Sequence, residues 1–249
     1  MQGPAFPQPD APLDLAGRLL RIFYAPRRSF AALGEDPDWL DWFVPVAIVC
    51  LLGVGAHFLT RDIVYNPETP LIKQQLQTLG EEQRLRHLGD LETARDKGWL
   101  LVVTGTFSSL VLVSGILWLL ARFVFTSEVS YRSLLVVKGY GSLIIATEWL
   151  VRTALILAWN SPVVQTGPGL LVPESMVRTF AGQTLLAVSV FDLWQAVVLG
   201  LGVSVVARVP VGRAVFAVVA LWVFYVMGLG LLGSMALSAG AVPVPVPTP

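Results

Sequence analysis

Five mostly apolar stretches of about 20 residues constrain this chain more than any other feature. A helix needs roughly 20 mostly apolar residues to cross the roughly 30 Å of bilayer hydrocarbon. Within that hydrocarbon, only helices and closed barrels satisfy every backbone polar group. The stretches cover residues 42–59, 99–120, 139–159, 185–207 and 214–237. The sequence therefore predicts an all-α fold, a polytopic membrane helix bundle with five transmembrane helices.

The charge content agrees with a membrane protein. Only 14% of the 249 residues are charged and 55% are hydrophobic, whereas a soluble domain carries roughly 25% charged residues. Basic and acidic residues balance at 17 each, so no net field attracts nucleic acid or another polyanion. We therefore expect membrane lipids as partners, together with another membrane protein or a second copy of the chain, and no nucleic acid.

The distribution of basic residues predicts the orientation, because short cytoplasmic segments carry an excess of Lys and Arg. Nine basic residues share one side of the predicted spans: Arg18, Arg21, Arg27, Arg28, Arg122, Arg132, Lys138, Arg208 and Arg213. The opposite side has Arg178, an uncharged tail and the long loop 60–98, whose six basic and seven acidic residues weigh little in this rule. We expect a cytoplasmic amino terminus and an extracytoplasmic carboxyl terminus.

The cytoplasmic segment 1–41 contains an amphipathic helix. Leu15, Leu19, Ile22 and Phe23 recur at helical spacing, and Pro26 ends the pattern. The basic residues of the segment lie on another face or just beyond the helix: Arg18, Arg21, Arg27 and Arg28. Two arrangements fit this pattern. The helix lies on the cytoplasmic membrane surface, with its basic residues at the headgroups, or it packs its apolar face on the bundle.

The rest of the chain divides into a membrane domain, residues 42–237, and a tail. Inside the membrane domain, the extracytoplasmic loop 60–98 combines dense charge with leucines at helical spacing, which indicates one or two amphipathic helices broken near Gly80. The extracytoplasmic tail 238–249 is rich in Pro and Val and is expected to be extended. The first residues lack a basic region followed by an apolar one, so we expect no cleavable signal peptide.

The sequence contains no recognisable catalytic motif. The chain has no HExxH, GxSxG or P-loop motif, and its single cysteine, Cys50, excludes an intrachain disulfide and a thiolate zinc cluster. His57 and His87 are isolated, and His57 fits a structural histidine at the membrane interface. We expect no catalytic, cofactor or metal site and no enzyme; a lipid-modifying enzyme ranks third among the functions because no nucleophile and base can be named.

Ionisable residues inside the predicted spans carry the strongest functional signal. A charged side chain at mid-bilayer costs roughly 2.5–3.5 kcal/mol on insertion scales, so it needs a partner or a wet cavity. Glu148 and Arg152 lie four residues apart on one face of the third span, and Asp192 lies at a similar predicted depth in the fourth. We hypothesise that Arg152 bridges Glu148 and Asp192. The cluster is interpreted either as an ionic clamp that fixes helix register or as a proton or ion relay.

Three blocks of this sequence resemble the Yip1-domain family of five-span membrane proteins. They are FYAPRRSFAALGEDPDWLDWFVPV, SYRSLLVVKGYGSLI and FDLWQAVVLGLGVSVVARVPVGRAVFAVVALW, and the resemblance covers about residues 19–237. The family-like positions are Pro26, Tyr140 and Trp194. Family members often follow the Gly-Tyr step with a proline, and this chain departs from that pattern because residues 144–146 are Ile, Ile and Ala.

The resemblance implies a location and a kind of function. Eukaryotic members act in vesicle traffic and interact with small GTPases, while the large outer loop and short amino terminus are more similar to bacterial members, which implies the bacterial cytoplasmic membrane. Our leading hypothesis is a non-enzymatic scaffold or accessory protein that assists a membrane complex or membrane organisation and trafficking. The alternative is a small transporter or channel component that uses Glu148, Arg152 and Asp192.

Overall fold

The computed structural model describes residues 15–33, 37–77 and 79–238, and it contains no strand within those ranges. Nine α-helices are found there: α1 Leu15–Arg21, α2 Pro26–Ala31, α3 Trp39–Val64, α4 Pro70–Gln77, α5 Glu81–Leu119, α6 Tyr131–Trp159, α7 Phe180–Leu186, α8 Val190–Val206 and α9 Val211–Ser238. A π-helical turn, Leu120–Val124, continues α5, and two 3₁₀ turns lie between α6 and α7.

Four of these helices are long and apolar enough to cross a membrane. They are α3, α5 with its π-helical turn, α6 and α9. The pair α7 and α8 passes the same test when taken together, but the two helices are bent by 72° at a short break. The prediction of an all-α membrane fold is therefore confirmed, with four spans, or five if the bent pair is one span. The orientation of the termini stays a prediction.

Several helices are longer than the apolar stretches from which they were predicted. α3 begins at Trp39 and ends at Val64, and α5 begins at Glu81, well before the predicted start at residue 99. α6 begins at Tyr131, before the predicted start at 139. Hydropathy marks only the part of a helix that lies in hydrocarbon, whereas backbone hydrogen bonding continues into the aqueous region. The predicted outer loop is thus helical, with α4 and the start of α5 separated near Gly80.

The predicted span 185–207 is interrupted. α7 ends at Leu186, and α8 begins at Val190, where the Ser189 hydroxyl accepts a hydrogen bond from the Phe191 backbone N–H at 3.1 Å. The Val190 N–H donates to the Thr166 carbonyl at 3.3 Å. Ser189 therefore acts as the N-cap of α8. Hydropathy cannot reveal this break because the residues around it remain apolar.

The chain divides into two compact units. The first comprises Met1–Val49, Thr106–Ile145 and Trp194–Leu221. Its most buried side chains come from the amino-terminal segment, α3, α5, α6 and α8: Ile22, Phe30, Val46, Leu117, Leu134, Val137, Tyr140 and Val203. Glycines permit close helix packing in this unit. A Cβ on Gly200 would lie 2.6 Å from the Cα of Val215, and one on Gly139 would lie 3.1 Å from the Trp42 carbonyl oxygen.

The second unit comprises Cys50–Gly105, Ala146–Leu193 and Trp222–Pro249. Here α7 lies against a glycine face of α9, where Thr184 contacts Gly230 and Gln183 contacts Gly233. α4 buries Ile72 and Leu76. The predicted tail 238–249 lies outside the described residues apart from Ser238, which ends α9.

The amino-terminal segment folds as two short helices joined by a turn. α1 ends at Arg21 and Pro26 occupies the first turn of α2, as the fixed φ of proline favours. Ile22 is fully buried and Phe30 nearly so, while Ser29 donates a hydrogen bond from its hydroxyl to the Arg18 carbonyl at 2.7 Å. These contacts are those expected if the segment packs on the membrane helices.

We predict that Gly230→Ala destabilises the protein and that Gly228→Ala does not. A Cβ at Gly230 would lie 2.1 Å from Thr184 Oγ1 and 2.9 Å from the Thr184 backbone, whereas nothing lies within 4 Å of one at Gly228. The overpacked variant should lose about 1–3 kcal/mol of unfolding free energy, and the control should keep the parent's stability or gain up to about 1 kcal/mol from the higher helix propensity of alanine. Denaturant titration in detergent micelles measures both, and equal effects would contradict the packing of α7 on α9.

Candidate functional site

An ion pair joins the amino-terminal segment to the first spanning helix. The Arg18 guanidinium lies 2.8 Å from Asp41 Oδ1, and only 18% and 9% of the two side chains are exposed. Charges removed from water to this extent need each other, since leaving either one unpaired costs several kcal/mol. The pair thus fixes α1 to the first turn of α3.

Asp41 also caps the helix from which it projects. Its Oδ2 accepts a hydrogen bond from the Asp38 N–H at 2.9 Å, and Asp38 Oδ1 accepts one from the Trp39 N–H at 2.6 Å. The bond from the Asp38 N–H to Asp41 is one half of a capping box, in which the N3 side chain accepts from the N-cap N–H. The other half is absent, because Asp38 Oδ1 accepts from Trp39 and the Asp41 N–H donates to the Asp38 carbonyl. One carboxylate therefore starts α3 with one oxygen and holds Arg18 with the other.

Tyr140 belongs to the same compact unit as this ion pair and is completely buried. Its ring makes an edge contact with Phe30, with centroids 6.3 Å apart, and its hydroxyl lies within electrostatic range of Arg18 and Asp41. Within the described part of the chain, neither the Tyr140 hydroxyl nor Arg18 Nε has a hydrogen-bond partner. A buried group left in this state costs about 1–3 kcal/mol, and such exceptions concentrate at functional or strained positions.

The family-like positions converge on the amino-terminal segment. Trp194 packs edge-on against Phe23, with centroids 6.1 Å apart, and Tyr140 contacts Phe30. Gln195 donates to the Gly141 carbonyl at 3.0 Å, which joins α8 to the Gly-Tyr-Gly step of α6. Two of the three positions therefore contact the segment that contains the third, Pro26.

The other arginines of the segment have different surroundings. Arg21 is half-buried in the last turn of α1, while Arg27 and Arg28 are exposed on α2. Within residues 15–33 there is no acidic side chain. The four predicted interfacial arginines are thus not equivalent, because Arg18 is neutralised by Asp41 whereas Arg27 and Arg28 face outward.

A second cluster surrounds Glu148 in α6. Its Oε1 accepts hydrogen bonds from the Thr166 hydroxyl at 2.7 Å and from the Ser189 hydroxyl at 2.9 Å, and the carboxylate residue is 6% exposed. Arg152 Nη1 lies 3.9 Å from the same oxygen, with 46% of its side chain exposed. The predicted pairing of Glu148 with Arg152 is long for an ion pair, and the two hydroxyls make the shorter contacts.

Asp192 lies in the first turn of α8, two residues after the helix begins, and is half-buried. Its carboxylate is placed where a negative charge is favourable, because the first turn of a helix has a positive electrostatic potential. The proposed bridge from Arg152 to Asp192 stays a prediction.

A third polar cluster lies where the amphipathic start of α5 meets the end of α3. Arg95 donates to Asp62 Oδ1 from both Nε and Nη2, at 3.0 and 2.6 Å. His57 Nε2 lies 3.1 Å from the Arg95 carbonyl oxygen, and it must donate there because a carbonyl only accepts. A cleft of about 220 Å³ adjoins them, lined by Asp62, Tyr65, Asn66, Pro67 and Arg95.

None of these clusters has the composition of a metal site. Within residues 15–33, 37–77 and 79–238, no three His, Cys, Asp or Glu side chains group closely enough to bind a metal ion. The clusters instead consist of one carboxylate paired with an arginine or with hydroxyl donors. Their chemistry is suited to fixing chain segments in place.

Sequence reasoning missed the partners that complete these clusters. Asp41, Thr166, Ser189, Asp62 and Arg95 were not predicted as site residues. The Asp-x-x-Asp step of Asp38 and Asp41 is a recognisable helix start, so the capping role of Asp41 could have been predicted. Contacts between residues far apart in the chain give no such local signal.

We predict that Arg18→Ala lowers the unfolding free energy and that Arg27→Ala leaves it nearly unchanged. The first variant leaves the Asp41 carboxylate buried without its cation, at a cost of about 3 kcal/mol. The second removes an exposed arginine of the same segment and should stay within about 0.5 kcal/mol. Denaturant titration in detergent gives both values.

A double-mutant cycle separates the ion pair from other effects of Arg18. Arg18→Ala and Asp41→Ala together should cost less than the sum of the single variants, with a coupling energy of about 1–3 kcal/mol. Strict additivity would show that the two side chains do not stabilise each other.

Comparison with known proteins identifies the family. The Yip1 domain matches residues 20–233, a range that contains Asp41, Tyr140, Glu148 and Asp192. No curated protein and no solved structure matches the chain. The match covers most of the chain and includes the blocks around Pro26, Tyr140 and Trp194. This integral membrane protein therefore belongs to the Yip1-domain family.

Proposed function

We propose that this protein is a non-enzymatic membrane scaffold or accessory subunit, and that it binds another membrane protein through a helical arm, residues 81–98. The observation that carries the proposal is the continuity of α5, which runs without a break from Glu81 to Leu119. At about 1.5 Å per residue, the arm extends the apolar helix by roughly 27 Å. A rigid extension of this length has no role in crossing the hydrocarbon.

The base of the arm is held in place. Arg95 is bound to Asp62, and His57 donates to the Arg95 carbonyl. A Cβ on Gly98 would lie 2.6 Å from the His57 ring, so only glycine permits this contact without a shift. These contacts join the arm to α3 at a defined position, which lowers the entropic cost of binding a partner.

The surface of the arm favours a protein partner that is itself embedded in the membrane. Its exposed residues carry both signs of charge, including the paired Glu82 and Arg86. A depression of about 340 Å³ extends from Asp90 past Lys97 to Leu101. Lipid tails can cover Leu101 but not the charged half, whereas a membrane protein with an aqueous segment can cover both. A second copy of the chain meets the same description.

A crosslinking experiment tests the arm. We expect a photoactivatable phenylalanine analogue at Thr93 to form an adduct of one defined mass with a protein in native membranes. The same residue at Leu112, which is 66% exposed in the apolar part of α5, serves as the control and should give no such adduct. An adduct of twice the chain mass would identify a second copy as the partner. Identical patterns at the two positions would overturn the assignment to the arm.

The proposal includes the orientation and the membrane. By the basic-residue rule, the amino-terminal segment is cytoplasmic and the arm extracytoplasmic, and the family resemblance implies the bacterial cytoplasmic membrane. In a Cys50→Ser background, we expect an impermeant maleimide to label Arg86→Cys on intact cells and Arg27→Cys only after permeabilisation. Both sites are exposed, so the opposite pattern would invert the topology.

The bent pair α7 and α8 favours a second candidate function, a small transporter or channel component. Interrupted membrane helices form substrate and ion sites in secondary transporters, and here the interruption places Ser189 on the buried Glu148. Such a protein should transport a cation or proton on its own in liposomes, and Glu148→Gln should abolish that flux. For a scaffold we expect no flux with either protein, so a flux sensitive to Glu148 would replace the scaffold proposal.

A further inference from the structure

The end of α1 and the turn that follows it present an apolar surface that the described protein covers only in part, since the Phe23 ring also packs on Trp194. Leu20 is 65% exposed, Tyr24 73% and Phe23 36%. These side chains are contributed by the same short segment that buries Ile22 and Phe30 on its other side. An aromatic and aliphatic surface of this kind is unfavourable in water but suits a membrane interface.

Two exposed arginines adjoin this surface. Arg27 and Arg28 follow the turn directly, and residues 15–33 contain no acidic side chain that could neutralise them locally. Arg18, by contrast, is held by Asp41. The surface therefore combines apolar residues with a local positive charge, which is the composition of segments that bind anionic phospholipids.

The Arg18–Asp41 ion pair places this surface near the membrane boundary. Asp41 lies in the first turn of α3, next to Trp39, Leu40 and Phe43, which are 51%, 41% and 39% exposed. An exposed Trp at the start of a spanning helix is typical of the headgroup region. Because α1 is bound to that turn, the residues that follow α1 are held at about the same level. Lipid, and not only water, can therefore surround the exposed side chains of Leu20 and Tyr24.

We propose that this surface binds anionic phospholipid: Leu20 and Tyr24 insert among the acyl chains beside the exposed edge of Phe23, and Arg27 and Arg28 bind the headgroup phosphates. The ion pair acts as the anchor that keeps the surface at the leaflet, and it does not itself contact lipid. The surface selects lipid by charge, and the selection weakens as salt rises.

The primary test measures lipid affinity. Purified full-length protein in neutral detergent is titrated with fluorescent phosphatidylglycerol, and Arg27→Gln/Arg28→Gln is compared with the control Arg84→Gln/Arg86→Gln, which removes the same charge from the arm. Each arginine should contribute about fivefold to the affinity for phosphatidylglycerol. The first variant should therefore bind this lipid roughly tenfold to thirtyfold more weakly, while the control should match the parent. Equal affinities for all three proteins would overturn the proposal.

A second measurement reports insertion directly. A nitroxide label on Tyr24→Cys, in a Cys50→Ser background, is placed in vesicles of phosphatidylcholine with or without phosphatidylglycerol. The label should become less accessible to a water-soluble relaxation agent when phosphatidylglycerol is present, and the Arg27→Gln/Arg28→Gln change should remove that difference. Accessibility that is the same in both vesicles would contradict insertion driven by anionic lipid.

Two further outcomes distinguish other ligands. If inorganic phosphate displaces fluorescent phosphatidylglycerol as well as unlabelled phosphatidylglycerol does, the arginines form a free-anion site and the lipid proposal fails. If a photoactivatable residue at Tyr24 gives a protein adduct in native membranes, a protein covers the surface and the lipid proposal fails. Neither result affects the proposal for the arm, because the arm is tested by crosslinking at Thr93.

Discussion

The structure depends on one requirement of the bilayer: polar groups that leave water must be satisfied by the protein itself, because hydrocarbon offers them no partner. Continuous helices meet this requirement for the backbone. Where the chain departs from a helix, side chains and loop carbonyls meet it instead. Ser189 caps the restart of α8, Asp41 caps α3, and the Thr166 carbonyl accepts the Val190 N–H. The Ser189 cap thus allows the chain to turn where hydropathy alone predicts an unbroken span, and the Asp41 cap fixes where α3 begins.

The capping groups are also the groups that hold the ionic clusters together. Asp41 binds Arg18 with one oxygen while it caps α3 with the other, and Ser189 donates to Glu148 while it caps α8. In each case a single polar side chain joins an irregular segment to a spanning helix. Breaking either contact therefore has two costs, a lost cap of about 1 kcal/mol and a buried charge with fewer partners. This coupling explains how a short segment such as residues 22–25 keeps a fixed position although it has no hydrophobic core of its own.

Much of this architecture could be predicted from the sequence, and the limits are physical. Apolar stretches locate α3, α5, α6 and α9 because hydrocarbon selects composition over about 20 residues. The spacing of Glu148 and Arg152 predicts a shared face because the helix period is local. The pairing of Arg18 with Asp41 could not be predicted, since it depends on how α1 is placed against the start of α3 in three dimensions. The hydroxyl donors to Glu148 depend in the same way on the path of the loop through Thr166.

The surroundings of Glu148 favour a structural role over a relay. A relay must exchange protons with water, yet Glu148 is 6% exposed and its Oε1 already accepts from two hydroxyls. Those hydroxyls belong to the loop before α7 and to the start of α8, so moving them away would release the caps and contacts that define the bend. The Arg152 guanidinium, 3.9 Å away, opposes the approach of a further cation. The hydroxyl contacts stabilise the bent pair and the guanidinium resists the passage of a cation, and both effects agree with the proposed clamp.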